Sequence, residues 1–241
     1  MSPQIEFISE TGSTNADLVA RLAAGDRVPE DYWLVADRQS AGRGRQGRSW
    51  IDAPGNFMGS TVVRLNPADP APATLSFVAS LAVYETVLPG LPDPSALMLK
   101  WPNDVLLGGA KFCGLLLECE RGHAVIGIGV NLCAAPAIMD RAVRSLSDMG
   151  PAPTRDAFAQ ALARQMTIEV QRWREFGAEP IVNRWKAAAH PVGTPLSVHD
   201  GQGNRLSGQF DGLLEDGALR LRMADGTSHV VHAGDVMLEE N

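Results

Sequence analysis

Lysine is nearly missing from this chain. Of 21 basic residues only three, Lys100, Lys111 and Lys186, are lysines. Cysteine is scarce too. Cys113, Cys119 and Cys133 make an odd count, with the spacing of neither a zinc site nor a C-x-x-C pair, so a reducing compartment is the simplest reading. Positive charge is in deficit: the formal net charge is −7. That excludes a protein that grips duplex DNA over a broad surface, and any anion binding has to be local. No stretch approaches the roughly eighteen apolar residues of a membrane span. The start, MSPQIEFISE, lacks the basic flank and apolar core of a signal peptide. A cytoplasmic protein without a membrane partner is expected. The five histidines form no metal pair at helical spacing and no nucleophile–base order, and no repeat of twenty to fifty residues is present.

Hydrophobic residues, at 45%, suffice for a core, and 241 residues allow one or two domains. Ile5–Ser9 alternates as a short strand. Ser13-Thr14-Asn15 then opens a helix carrying Leu18, Val19 and Leu22, with Gly25 as its stop. Thr14 with Asp17 has the spacing of a capping box. Strands are expected at 32–36, 57–65 and 97–99, and a helix at 75–88. A hairpin should join 112–119 to 125–132, and two helices should follow, the first from a Thr154 cap to Gly177, the second over 179–189. After His190-Pro191-Val192-Gly193 come closely spaced Asp-Gly turns at 200, 211, 216 and 225. This reads as a small β-barrel, and divides the chain into a mixed domain over 1–190 and a β-module over 191–241.

The most unusual segment is Gln39-Ser40-Ala41-Gly42-Arg43-Gly44-Arg45-Gln46-Gly47-Arg48, with three arginines and three glycines in its last seven residues. Adjacent guanidinium groups repel one another unless an anion sits among them. Glycine permits close backbone approach. The pair suits a mobile loop that closes on phosphate or carboxylate. A solvated flexible loop is the plain alternative, and a minor-groove or RNA-binding Arg-Gly segment is another. A Walker-type phosphate loop is excluded, because its lysine is absent and Pro54-Gly55 stands where its helix would begin.

Two of the three lysines meet in a second segment. Lys100-Trp101-Pro102-Asn103-Asp104 follows an apolar strand, and Lys111 comes just after a Gly108-Gly109 turn. A decorated surface turn would account for it. So would a site in which lysines hold a phosphoryl group, Trp101 a purine ring and Asp104 a magnesium ion. Gly127-Ile128-Gly129-Val130-Asn131 adds glycines that let a ligand approach a strand end.

Taken in order, these segments resemble the biotin–protein ligases: Ser13-Thr14-Asn15; Gln39 with GRGRQGR over 42–48 and Trp50 after it; KWPND over 100–104; Lys111-x-x-Gly114 with Leu115, Leu116 and Glu118; and Gly127-x-Gly129-Val130-Asn131. The similarity spans nearly the whole chain. It implies an α+β fold, a mixed and largely antiparallel sheet backed by helices and related to class II aminoacyl-tRNA synthetases, with an SH3-like C-terminal barrel. Only twelve residues precede Ser13, so the short form without a DNA-binding helix-turn-helix is expected.

The resemblance also implies roles. Ser13, Thr14, Asn15, Gln39, Arg43, Gly44, Arg45 and Lys100 would bind biotin. Arg45, Arg48, Asn103, Lys111 and Asn131 would bind ATP. Lys100 and Arg45 would be catalytic, and Asp104 would hold Mg²⁺. The partner would be a biotin carboxyl carrier protein, its lysine receiving biotin from biotinyl-AMP, and a homodimer is possible. A lipoate or octanoate ligase or transferase of the same fold is the nearest alternative, and a non-enzymatic Arg-Gly nucleic-acid binder the alternative of another class.

Overall fold

The computed structural model describes residues 3–138, 142–199 and 205–238. Its larger sheet holds seven strands: β1 (Gln4–Thr11), β2 (Tyr32–Gln39), β3 (Phe57–Arg64), β4 (Leu97–Lys100), β5 (Asp104–Leu107), β6 (Ala110–Glu120) and β7 (His123–Val130). Their order is β1-β2-β3-β7-β6-β5-β4. Only β1 and β2 run parallel, and every other neighbouring pair is antiparallel. Helix α1 (Thr14–Ala24) makes the crossover between the parallel pair. Sequence reading anticipates most of this but not β5, which pairs back onto β4 through a turn at Trp101–Asn103. Asn and Asp there mask a strand that is only four residues long.

Both faces of the sheet are covered, which is why β2 reads as a continuous apolar run rather than an alternating one. On one face Tyr32, Leu34, Val62 and Val125 pack against Leu18 and Leu22 of α1. On the other, Trp33, Val35, Phe57 and Ile126 belong to a core shared with α2 (Leu75–Val87), α3 (Arg155–Phe176) and α4 (Ala178–Ala187). The stretch 72–90 around α2 is by length and composition apolar enough to cross a bilayer, contrary to the sequence expectation. Most of α2 is nevertheless buried between sheet and helices.

Helix α1 starts one residue earlier than the expected capping box. Ser13 is the N-cap, its hydroxyl accepting from the Ala16 amide at 3.4 Å, and Asp17 instead accepts from the Thr11 hydroxyl at 2.5 Å. Thr14 is thereby released from capping.

The C-terminal part is a five-stranded antiparallel sheet, consistent with a small barrel-like unit. It comprises β8 (Pro195–His199), β9 (Arg205–Leu213), β10 (Leu219–Arg222), β11 (Ser228–Val231) and β12 (Asp235–Leu238), in the order β11-β10-β9-β8-β12. Asp216-Gly217 and Asp225-Gly226 lie at turns as expected. Asp211-Gly212 does not: both residues lie inside β9, where Gly212 takes φ +105° and the register to β10 shifts. A bulge has the same appetite for glycine as a turn. Asp200-Gly201 falls outside the described residues.

Candidate active site

The cleft lies on the α1 face of the large sheet, beyond the helix's N-terminus. Three residues of β7 that share this face show how it is carved. Val125 lies under the apolar side of α1. At Gly127 a Cβ would stand 2.9 Å from Asn15 Oδ1. At Gly129 a Cβ would stand 2.3 Å from the Trp50 ring. Gly114, paired with Gly129 on β6, lies under the same indole and beside the Lys111 side chain, each 3.1 Å from where its Cβ would be. The glycines thus make room on the strands for side chains that arrive from α1 and from the Arg-Gly segment.

One wall is the start of α1. Gln39 Oε1 accepts from the Thr14 amide at 2.7 Å and from the Thr14 hydroxyl at 3.1 Å, and that hydroxyl lies 2.8 Å from Ser60 Oγ. Asn15 Nδ2 donates to Glu118 at 2.5 Å. Its Oδ1 is buried with no partner among the described residues.

The Arg-Gly segment is drawn into a hairpin by its own backbone hydrogen bonds. Gly44 donates to the Arg48 carbonyl at 2.7 Å and Trp50 to the Gly42 carbonyl at 2.9 Å. Gln46 and Gly47 turn through positive φ, +55° and +73°, which glycine takes without strain. The arginines are divided among three anchors. Arg43 meets Glu118 at 2.7 Å, Arg45 reaches Asn103 Oδ1 at 3.4 Å, and Arg48 pairs with Asp235 of β12. Burial pulls the Arg45 pKa down, nearby Asp104 opposes this, and Arg48 adds to it.

The third wall is the β4–β5 hairpin. Asp104 is buried, with Lys111 Nζ at 2.5 Å from one carboxylate oxygen and Lys100 Nζ at 3.7 Å from the other. Asn103 donates to the Leu115 carbonyl at 2.5 Å. Asn131 is buried; its side chain donates to the Arg144 carbonyl at 3.2 Å and accepts from Asn56 at 3.4 Å. Trp101 does not offer its indole to a purine. The ring is buried and donates to the Gly217 carbonyl at 2.9 Å.

All thirteen residues that the sequence singles out line this one cleft. Asp104 as a magnesium ligand fits poorly. Both its oxygens face ammonium groups, and no cluster of three or more His, Cys, Asp or Glu side chains suited to a metal exists among the described residues. Sequence reasoning assigns no role to Trp50, Ser60, Glu118 or Asp235. The first and third stand in the quoted motifs, but nothing in their spacing tells that one covers the floor and the other ties two walls together. Asp235 carries no local signal at all.

The chain from 12 to 131 matches the model of the biotin/lipoate A/B protein ligase family. It is 36% identical over 238 residues to the biotin–[acetyl-CoA-carboxylase] ligase of Mycobacterium tuberculosis, covering 97% of this chain and 88% of that one. The chain belongs to this family. The enzyme of the same name from Paracoccus denitrificans is 38% identical, with 95% of this chain and 98% of that one covered. In fold it is similar to the biotin protein ligase of Aquifex aeolicus solved with biotin and ATP. The TM-score is 0.84 at 24% identity, over 99% of each chain. The Leishmania major biotin protein ligase solved with biotinyl-5-AMP gives 0.68 at 24%, over 97% of this chain and 100% of that one.

Proposed function

We propose that this member of the family is an ATP-dependent biotin–protein ligase. The biotin carboxylate displaces pyrophosphate from the α-phosphorus of ATP to give biotinyl-5′-AMP, and a lysine amine of a biotin carboxyl carrier protein then takes the biotinyl group as an amide while AMP leaves. The observation that carries the reading is the convergence of Ser13-Thr14-Asn15, the Arg-Gly hairpin and the Lys100–Asp104–Lys111 group on one cleft. Relatives named as biotin–[acetyl-CoA-carboxylase] ligases match over nearly the whole chain.

The electrostatics suit the first step. A carboxylate is already ionised near neutral pH, so its attack on the α-phosphorus needs no general base. It needs the mutual repulsion of two anions offset. Arg45, Lys100 and Lys111 gather around the Asp104 carboxylate and hold positive charge in place before substrate arrives. Such preorganised charge is the main resource for transition states of phosphoryl and nucleotidyl transfer. In this reading Ser13, Thr14, Asn15, Gln39, Arg43 and Gly44 surround the biotin ring system, and Lys100 and Arg45 act where carboxylate meets phosphate. Arg48, Asn103, Lys111 and Asn131 serve the nucleotide. Magnesium would accompany ATP as its counter-ion. The Arg-Gly hairpin shields the mixed anhydride from water. A cytoplasmic enzyme with a catalytic domain over 1–190 and a β-module over 191–241 completes the proposal.

The test is biotin-dependent exchange of labelled pyrophosphate into ATP, with lipoate in parallel. Exchange with biotin alone supports the reading. Exchange with lipoate alone gives the chain to the other branch of its family, and exchange with neither removes the ligase assignment.

A further inference from the structure

Glu118 is not among the residues lining the cleft, yet it determines what Asn15 offers there. Its carboxylate accepts from Asn15 Nδ2 at 2.5 Å and from Arg43 Nη2 at 2.7 Å. A carboxylate held by two donors gives Asn15 no reason to present its carbonyl, so the amide turns its Nδ2 toward Glu118. The other end is then fixed as well. Asn15 Oδ1 lies against Gly127, buried and without a partner among the described residues. Any side chain at position 127 would collide with it. An unpaired buried acceptor is costly, and the cost is relieved when a ligand N–H arrives.

We propose that Glu118 is a positioning residue for substrate selection: it locks the Asn15 amide with its unpartnered carbonyl oxygen against Gly127 in the cleft wall, so that the site favours an acid whose ring carries N–H donors. This rests on the ligase reading above. The urea ring of biotin has two such donors, and the dithiolane ring of lipoate has none. Polar complementarity of this kind discriminates more sharply than shape, because the wrong ligand leaves the buried acceptor unpaired.

The experiment compares wild type, Glu118→Gln, Asn15→Asp and the double variant in pyrophosphate exchange with biotin. Glutamine at 118 can donate as well as accept, which frees the Asn15 amide to turn over. KM for biotin should rise about tenfold with kcat little changed, the pattern of lost ground-state binding. Asn15→Asp alone sets two carboxylates face to face and should be worse. The double variant places a donor at 118 opposite the new carboxylate, so that donor and acceptor again face each other, and keeps an acceptor against Gly127. Its KM should return to within about threefold of wild type, as non-additive neighbours allow. A double variant no better than the poorer single one overturns the proposal, as does a Glu118→Gln protein whose biotin KM is unchanged or whose loss lies in kcat. Glu118→Gln alone decides the matter should Asn15→Asp fail to fold. Wild-type protein inactive with biotin would remove the ligase reading and this proposal with it, whereas active wild type without the pattern removes only the latter.

Discussion

At the scale of single residues, charge is concentrated where the chemistry needs it. Lys100 and Lys111 share Asp104, so removing either lysine takes away a fixed cation without leaving the carboxylate bare. Lys100→Ala should therefore fold and yet lose about 100- to 1,000-fold in biotin-dependent pyrophosphate exchange, the usual effect of deleting one preorganised donor. Near-wild-type exchange would show that Lys100 does not touch the reacting groups. His190 is the other charged-state question. It is buried, stacks on Phe210 with centroids 4.4 Å apart, and has no partner for either ring nitrogen among the described residues. Burial, and secondarily the positive charge of Lys100, lower its pKa from 6.5 to about 4. Between those values the unfolded chain takes up a proton that the folded one refuses. The contribution of His190 to stability is therefore level above pH 6.5 and falls as the pH drops toward 4, by up to about 3 kcal/mol. His190→Phe should remove that acid limb in urea titrations at pH 7.5 and pH 5, while holding or raising stability at the upper pH. An unchanged acid limb would place the titration elsewhere.

At the scale of elements, the site depends on what β6 and β7 omit. The indole of Trp50 occupies the space over Gly114 and Gly129, so a methyl group at Gly129 must push the Arg-Gly hairpin off the floor. Gly129→Ala should cost about 100-fold in exchange, in line with a displacement near 1 Å at a reacting centre, with little change in unfolding midpoint. Full activity would mean that Trp50 is free to move aside. Such relations explain what could and could not be read from sequence. Helices with strong caps and apolar stripes, α1 and α3, are legible because the local signals agree. So are the long strands β3, β6 and β7, and the Arg-Gly and Lys-Trp-Pro-Asn-Asp motifs, whose composition is at odds with an acidic chain. β5 is hidden by the turn residues at its head. The roles of Glu118 and Asp235 are hidden because each acts through a partner distant in sequence, Asn15 and Arg43 for one, Arg48 for the other. Trp101 misleads for the same reason: its partner, Gly217, lies more than a hundred residues on.

At the scale of the whole molecule, the two sheets share one core. Leu196, Phe210, Leu219 and Val236 belong to the same apolar cluster as α2 and α4, and the Trp101 hydrogen bond and the Arg48–Asp235 ion pair cross between them. They should unfold together. All five tryptophans, Trp33, Trp50, Trp101, Trp173 and Trp185, precede residue 191, whereas His199, His229 and His232 follow it. Tryptophan fluorescence and the proton resonances of these three histidines therefore report the two parts separately. Their urea transitions should coincide. A C-terminal transition at lower urea would show the sheets to be independent. The scarcity of lysine has a consequence of its own. An enzyme that makes an acyl adenylate holds a reagent that attacks any exposed neutral amine, its own included. Here the amines number three lysines and the N-terminus. Two of the lysines are engaged inside the cleft, which leaves Lys186 as the remaining side chain of that kind. Arginine carries nearly all the remaining positive charge and stays protonated, so it is inert to the same reagent. The catalyst is thus built almost without sites for self-inflicted acylation.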